Sequence, residues 1–277
     1  MPYPAEELIN LALRWVHVVA AIFWIGQTAL FTWLDTRLRV EGDENGRQVW
    51  MVHGGGFYRV EKLPWQAPPR LLHWFRWEAA VTWGSGFLLL VWVYWLGEIL
   101  VPPGGAVAPV AAMGLSLAVL LGGTAAYDAL WSSPLARRQG LAAAVSFAAL
   151  VALAWGLTQV FTSRAAFLQV GATLGTIMTA NVWSRILPAM REAVAAARAG
   201  RELDAGVQAR VARAGQRSRH NTFLAFPVVF LMISNHYPVT TYGHRWNWLL
   251  LGVFTLLGMA ARWLVNRHEA RPARSDG

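Results

Sequence analysis

The sequence contains no cysteine. That absence excludes disulfides, iron–sulfur ligation, thiolate zinc sites and a covalent CxxCH haem. Any redox centre must be held by histidine or methionine, or belong to a partner. Charge is scarce as well, with only 14% of the 277 residues being Asp, Glu, Lys or Arg. Among the 24 basic residues only Lys62 is a lysine. A small-residue cleavage site after a basic start is missing, so the first apolar segment reads as a retained helix rather than a signal peptide. No internal repeat is visible.

What fills the chain instead is apolar. It is 56% hydrophobic, with a mean hydropathy of +0.36, which is a membrane-domain composition rather than a soluble one. Apolar runs near the length of a bilayer core fall at 8–34, 79–100, 106–130, 141–161, 165–187, 222–235 and 246–265. The expected fold is all-α, a polytopic transmembrane bundle of about seven spans. Residues 1–269 form one integral membrane domain, followed by a disordered tail at 270–277. Several of the sixteen tryptophans (Trp33, Trp77, Trp95, Trp131, Trp246) fall near span ends, where an amphipathic ring prefers the interface.

The net charge of +9 is sorted by loop rather than spread over one face. Of the 24 basic residues, 21 fall in alternate loops and the C-terminal end, and only Arg14, Arg164 and Arg245 fall on the other side. The positive-inside rule then places the N-terminus in the periplasm and the C-terminus in the cytoplasm. The arginines set topology and attract anionic headgroups of the lipid bilayer, so no nucleic-acid partner is implied. Two cytoplasmic loops are long. Loop 35–77 contains "HGGGFYRVEKLPWQAPP", too rich in Gly and Pro for one helix. Loop 188–219 is rich in Ala and Arg and is expected to be mostly helical, lying on the membrane surface or extending the fifth span.

Polar groups inside spans are costly and usually face the bundle interior. Topology sorts them into two clusters. The cytoplasmic one joins His73, Arg76 and Glu78 before span two, Tyr127 and Asp128 at the exit of span three, Thr179, Asn181 and Arg185 at the exit of span five, and Arg219, His220 and Asn221 before span six. Two readings compete: helix caps with interfacial ion pairs, or a site. Asp128 is a poor cap, because a helix C-terminus prefers cations.

The outer cluster is His17, Asn235, His236, Tyr237 and His244. His17 lies about 12 Å into the first span, shares a face with Trp24, and has Gly26 nearby to admit a flat ring. A buried imidazole is satisfied by one carbonyl or serves as an axial ligand, and His17 with His236 is the candidate pair for the iron of a haem b. The stretch "SRHNTFLAFPVVFLMISNHYP" carries a His-Asn pair, His220 and Asn221, before its apolar run and the mirrored Asn235 and His236 after it. As a helix it spans roughly 24 Å between the two imidazoles.

Five ordered motifs, "HGGGFYRVEKL", "LHWFRWEAAVTWGSGF", "YDALW", "GTIMTANVWSRILP" and the stretch just quoted, strongly resemble the membrane domain of bacterial cytochrome-c-linked urate oxidase. More weakly, the first span resembles haem-binding membrane proteins of the copper-resistance and protoporphyrinogen-oxidase type. The first resemblance implies oxidation of urate or a similar purine to a 5-hydroxyisourate-type product in the bacterial inner (cytoplasmic) membrane, with electrons passing to a cytochrome c. That family's domain is followed by a further span and a cytochrome c domain. The 277 residues contain no CxxCH, so the implied acceptor is a separate cytochrome c.

A urate site needs a cation, planar edge readers and a base. Arg185 or Arg219 offers the cation, and Asn181 and Asn221 the planar amides. His73, Glu78, Asp128 and His220 are the candidate catalytic groups. Two rival readings remain at this level: a haem-bearing electron-transfer subunit without purine activity, and a structural subunit or carrier with no redox role.

The arginine distribution makes a direct prediction. A reporter fused at Gly277 is expected to be active only in the form that works in the cytoplasm; activity of a periplasmic reporter there would overturn the span count.

Overall fold

A computed structural model of the chain describes residues 5–38, 48–66 and 68–269; the tail at 270–277 lies outside the described residues. Helix α1 (Ala5–Arg37) has Glu6 and Glu7 in its first turn and Arg37 in its last, each complementing the helix dipole. Helix α2 (Trp77–Leu89) runs directly into a π-helical turn, Leu90–Trp95. Helix α3 (Pro109–Ser132) starts on a proline, whose missing N–H has no partner to lose there. Helix α4 (Gln139–Val160) follows. Helix α5 (Ser163–Ala180) is capped by the Thr162 hydroxyl, which accepts from the Ala165 amide at 3.2 Å.

Helix α5 does not stop at the expected boundary. It passes through a second π turn, Asn181–Ile186, into α6 (Leu187–Arg198). Gly200, at φ 65°, takes the left-handed conformation beyond it. Helix α7 (Ala205–Ile233) is capped by Asp204, whose carboxylate accepts from the Val207 amide at 2.9 Å. A 3-10 turn, Ser234–His236, and then α8 (Asn247–Glu269) complete the described residues.

Among the described residues, five helical stretches are long and apolar enough to cross a membrane: Ala5–Arg37, Pro109–Ser132, Gln139–Val160, Ser163–Arg198 and Asn247–Arg267. The other two expected spans differ. Helix α2 has 13 residues before its π turn. The sixth span, expected as a short helix over 222–235, is the second half of a 29-residue helix that begins at Ala205. The change of polarity at His220 marks a change of surroundings, not a helix end, because the Ala-, Arg- and Gln-rich stretch before it consists of good helix formers. The long 188–219 loop is accordingly helical, with α6 folding back along α7.

The all-α expectation also needs one amendment. In loop 35–77, strands β1 (Gln48–His53) and β2 (Gly56–Glu61) pair antiparallel, with His53 opposite Gly56. The two turn residues, Gly54 and Gly55, both have positive φ (60° and 85°). That is the type I′ geometry that suits a two-residue hairpin, and glycine adopts it without steric cost. Across the ladder Arg59 faces Trp50, with its guanidinium 6.0 Å from the ring centroid.

Helix α5 is the core of the bundle. It packs against α2, α3, α4 and α7, while α1 lies along α2 and α8 lies against α7 and α4. Phe167 and Val170 on α5 and Leu231 on α7 are fully enclosed. The outer faces are apolar too: Trp15, Ile22 and Phe23 on α1 are 68, 65 and 60% exposed. Apolar faces of this extent call for a lipid cover.

The α7–α8 contact has almost no slack. A Cβ on Gly258 would stand 3.0 Å from the backbone nitrogen of Pro227 and 3.1 Å from its ring. Gly258→Val is therefore expected to push α8 off α7 and cost about 1–3 kcal/mol. Gly156, where an added methyl group would meet nothing within 4 Å, supplies the control Gly156→Ala. Thermal unfolding in detergent compares the two.

Candidate functional site

Three helices bring polar side chains to one end of the bundle, the end read as cytoplasmic. Tyr127 and Asp128 come from the last turns of α3. Asn181 and Arg185 come from the π turn after α5. Arg217, His220 and Asn221 stand at i, i+3 and i+4 on α7, a spacing that puts all three on one face.

The centre of the group is a chain of hydrogen bonds. The Asn181 amide nitrogen donates to Asn221 Oδ1 at 2.9 Å and to Tyr127 Oη at 3.2 Å. Asn221 in turn donates to the Met178 carbonyl at 2.9 Å. Tyr127 Oη lies 2.7 Å from His220 Nδ1. Since Tyr127 already accepts from Asn181, its own hydroxyl proton is free to go to Nδ1. The neutral imidazole then carries its proton on Nε2 and offers a donor on that edge. Trp131 packs edge-on against the same ring, with centroids 4.1 Å apart.

The charged half lies beside it. Arg185 forks onto Asp128, with Nε donating to Oδ1 at 2.9 Å and Nη2 paired with Oδ2. Arg217 Nη2 reaches the same carboxylate at 3.0 Å, along with the Asp128 carbonyl and the Ser132 hydroxyl at 3.3 Å each. Its guanidinium also stacks over the Tyr127 ring, 4.8 Å from the centroid. One carboxylate between two guanidiniums leaves net positive charge. The two cations differ in depth: the Arg185 side chain is 46% exposed and that of Arg217 only 4%.

The structure thus joins Asp128, Asn181, Arg185, His220 and Asn221 in one network. The cap reading is corrected for three of them: His220 and Asn221 lie in the middle of α7, whose cap is Asp204, and Asn181 lies inside a continuous helix. The other expected residues stand apart. Arg219 is exposed and outside the network. His73 is exposed and packs edge-on against Phe75, with centroids 4.5 Å apart. Glu78 accepts from Gln27 of α1 at 3.0 Å. Arg217 is not among the residues expected from sequence. Its spacing from His220 is the signal that finds it, once α7 is extended back past residue 222.

His17, expected at the outer end, is instead half-buried in mid-bundle against α2, beside Trp83, which bonds Thr176 of α5. Its Nδ1 lies 2.9 Å from the Thr82 carbonyl and 3.3 Å from the Ser85 hydroxyl. Gly86 makes room for the ring: a Cβ there would stand 2.8 Å from His17 Cε1. Donation from Nδ1 to a carbonyl fixes the tautomer that leaves the Nε2 lone pair available, as an axial haem ligand requires. His17 therefore fits one ligand position. His236 is exposed on the 3-10 turn and shares no hydrogen-bond partner with His17 among the described residues. Asn235 accepts from Arg164 at 2.9 Å. His244 lines two shallow clefts, one with Arg164 and Arg245, the other with Trp246 and Leu249.

Comparison with known proteins gives one match: the family description "urate oxidase N-terminal" fits residues 4–275. No curated protein and no solved structure matches the chain.

The unequal burial of the two arginines can be read out. Asp128→Asn leaves the Arg217 charge enclosed without its counter-ion and is expected to cost about 3 kcal/mol, the low end for a broken buried pair because Asp128 keeps some access to water. Arg185→Gln removes an exposed partner and is expected to cost under about 1 kcal/mol. Denaturation midpoints in one detergent rank the pair; a reversed order would remove Arg217 from the centre of the network.

Proposed function

This chain belongs to the urate oxidase N-terminal family, and from that premise we propose that it is a membrane-bound oxidoreductase that oxidises urate to 5-hydroxyisourate. The observation that carries the proposal is the network just described. It sets two planar amides, a tyrosine–histidine pair and an excess of positive charge side by side at one end of the bundle. Urate is a flat anion edged with carbonyl and N–H groups, and those are the partners it requires.

In the proposed reaction urate and one water give 5-hydroxyisourate, two protons and two electrons. Loss of two electrons makes the ring electrophilic, and water adds to it. The side chains of this chain bind the substrate and move its protons. Asn181 and Asn221 read the edge of the ring, and Arg185 and Asp128 close the aqueous side. His220 serves as the base in its other tautomer, with Nδ1–H donating to Tyr127 and Nε2 free; rotation of the Tyr127 hydroxyl allows the exchange. On this proposal His17 would hold a haem b, with His236 the candidate second ligand. When bound, that group supplies a one-electron carrier between the substrate and a c-type cytochrome. The setting is the bacterial inner membrane.

A second reading has a specific observation in its favour. His17 is fixed by α2, whereas the polar network belongs to α3, α5 and α7. A haem-bearing electron-transfer subunit without purine chemistry needs only the first of these.

The test is a spectrum. Purified wild-type protein is expected to show a haem Soret band that reduces on addition of urate. His17→Ala should lose or shift the band while the protein stays in the membrane. His220→Gln should keep the band and lose reduction by urate. A haem that dithionite reduces and urate does not would favour the electron-transfer reading, and a colourless protein would remove both.

A further inference from the structure

We propose that Arg217 is the specificity-determining residue of this site, using its free Nη1 to select an anionic heterocycle bearing carbonyl groups. The assignment rests on the purine reading above. Arg217 is 3% exposed. Its Nη2 is fully engaged by the Asp128 carboxylate, the Asp128 carbonyl and Ser132. Its Nη1 is enclosed and has no hydrogen-bond partner among the described residues. Buried donors are nearly always paired, and a charged one is the costliest to leave unpaired.

A purely structural ion pair explains Nη2 and not Nη1. Three features point the unmet donor toward a ligand. His220, the proposed base, lies three residues further along α7 on the same face. Tyr127 touches both residues, through its ring to Arg217 and its hydroxyl to His220. Asp128 is shared between Arg185 and Arg217, so one carboxylate faces two guanidiniums and the group keeps one net positive charge. A buried donor beside net positive charge recognises an acceptor oxygen on an anion. It disfavours a neutral purine without carbonyls, whose ring nitrogens accept a hydrogen bond but bring no negative charge to the guanidinium.

The experiment measures steady-state oxidation of urate by the membrane-embedded protein, together with equilibrium dialysis of urate and of adenine. Arg217→Lys keeps a charge for Asp128 and loses the second fork. It is expected to raise KM for urate about tenfold or more with kcat little changed, as loss of a charge-assisted hydrogen bond used for binding should. It should also erase the preference for urate over adenine. Arg213→Gln, an exposed change on the same helix, is the charge control and should leave both parameters alone. A structural role predicts instead a lowered melting temperature with the urate preference intact. If wild type oxidises urate and a folded Arg217→Lys does so with unchanged KM, the assignment is overturned and the purine reading stands. If wild type neither binds nor oxidises urate, both fall.

Discussion

A polar atom inside a lipid-embedded bundle has to find its partner within the protein, and α5 is where this chain meets that constraint. Gln169 is completely enclosed; its carbonyl accepts from the Ser116 hydroxyl at 2.7 Å and its amide donates to the Ser116 carbonyl at 2.8 Å. Trp95 donates to the same hydroxyl at 3.2 Å. One turn along, Thr173 bonds back to its own helix, and beyond it Thr176 accepts from Trp83 of α2 at 3.1 Å. Each bond of this kind adds only about 1 kcal/mol, yet leaving a buried group unpaired costs more than that. The register of α2 and α3 against α5 is thereby fixed. The polar row runs on along the helix to Asn181, so the candidate site is the open end of the arrangement that specifies the core.

The two π turns belong to the same logic. A π turn adds one residue to a helical turn and changes the face presented by everything after it. The first follows α2 and brings Tyr94 and Trp95 inward, the second of them onto Ser116. The second begins at Asn181, the residue that bonds both Tyr127 and Asn221. Arg185 lies within that turn and closes on Asp128. Beyond it the helix resumes as α6 and runs back along α7, so a single continuous rod supplies core packing, candidate site and the α6 arm in succession.

Much of this is legible in the residues. Hydropathy locates the helices long and apolar enough to cross a membrane, because a stretch that must face lipid has little freedom in composition. The glycine run in "HGGG" excludes a helix there, and the positive φ of Gly54 and Gly55 explains why the alternative is a tight hairpin. What composition conceals is continuity. The apolar run of span six begins at Thr222, whereas its helix begins at Ala205, because backbone hydrogen bonds in a helix do not depend on which solvent surrounds them. That single boundary turns His220 and Asn221 into candidate caps and leaves Arg217 in a loop. Burial is illegible for a related reason: Arg217 and Arg219 are two residues apart and chemically identical, and only the facing of the helix makes one a core residue and the other a surface one.

The two parts of the proposed reaction draw on different helices, and that division follows from what each needs. In the α1–α2 contact Gly86 yields to the His17 ring, and the Thr82 carbonyl orients it. A purine needs converging polar edges, which require several helices meeting near water, as α3, α5 and α7 do. Holding one relative to the other falls to α2. It carries Thr82 on one side and, through the Trp83–Thr176 bond, grips α5 on the other. Glu78, on the same helix, is tied to Gln27 of α1. Its charge therefore serves the α1–α2 contact first, so among the expected carboxylates Asp128 is the one the fold leaves to the site.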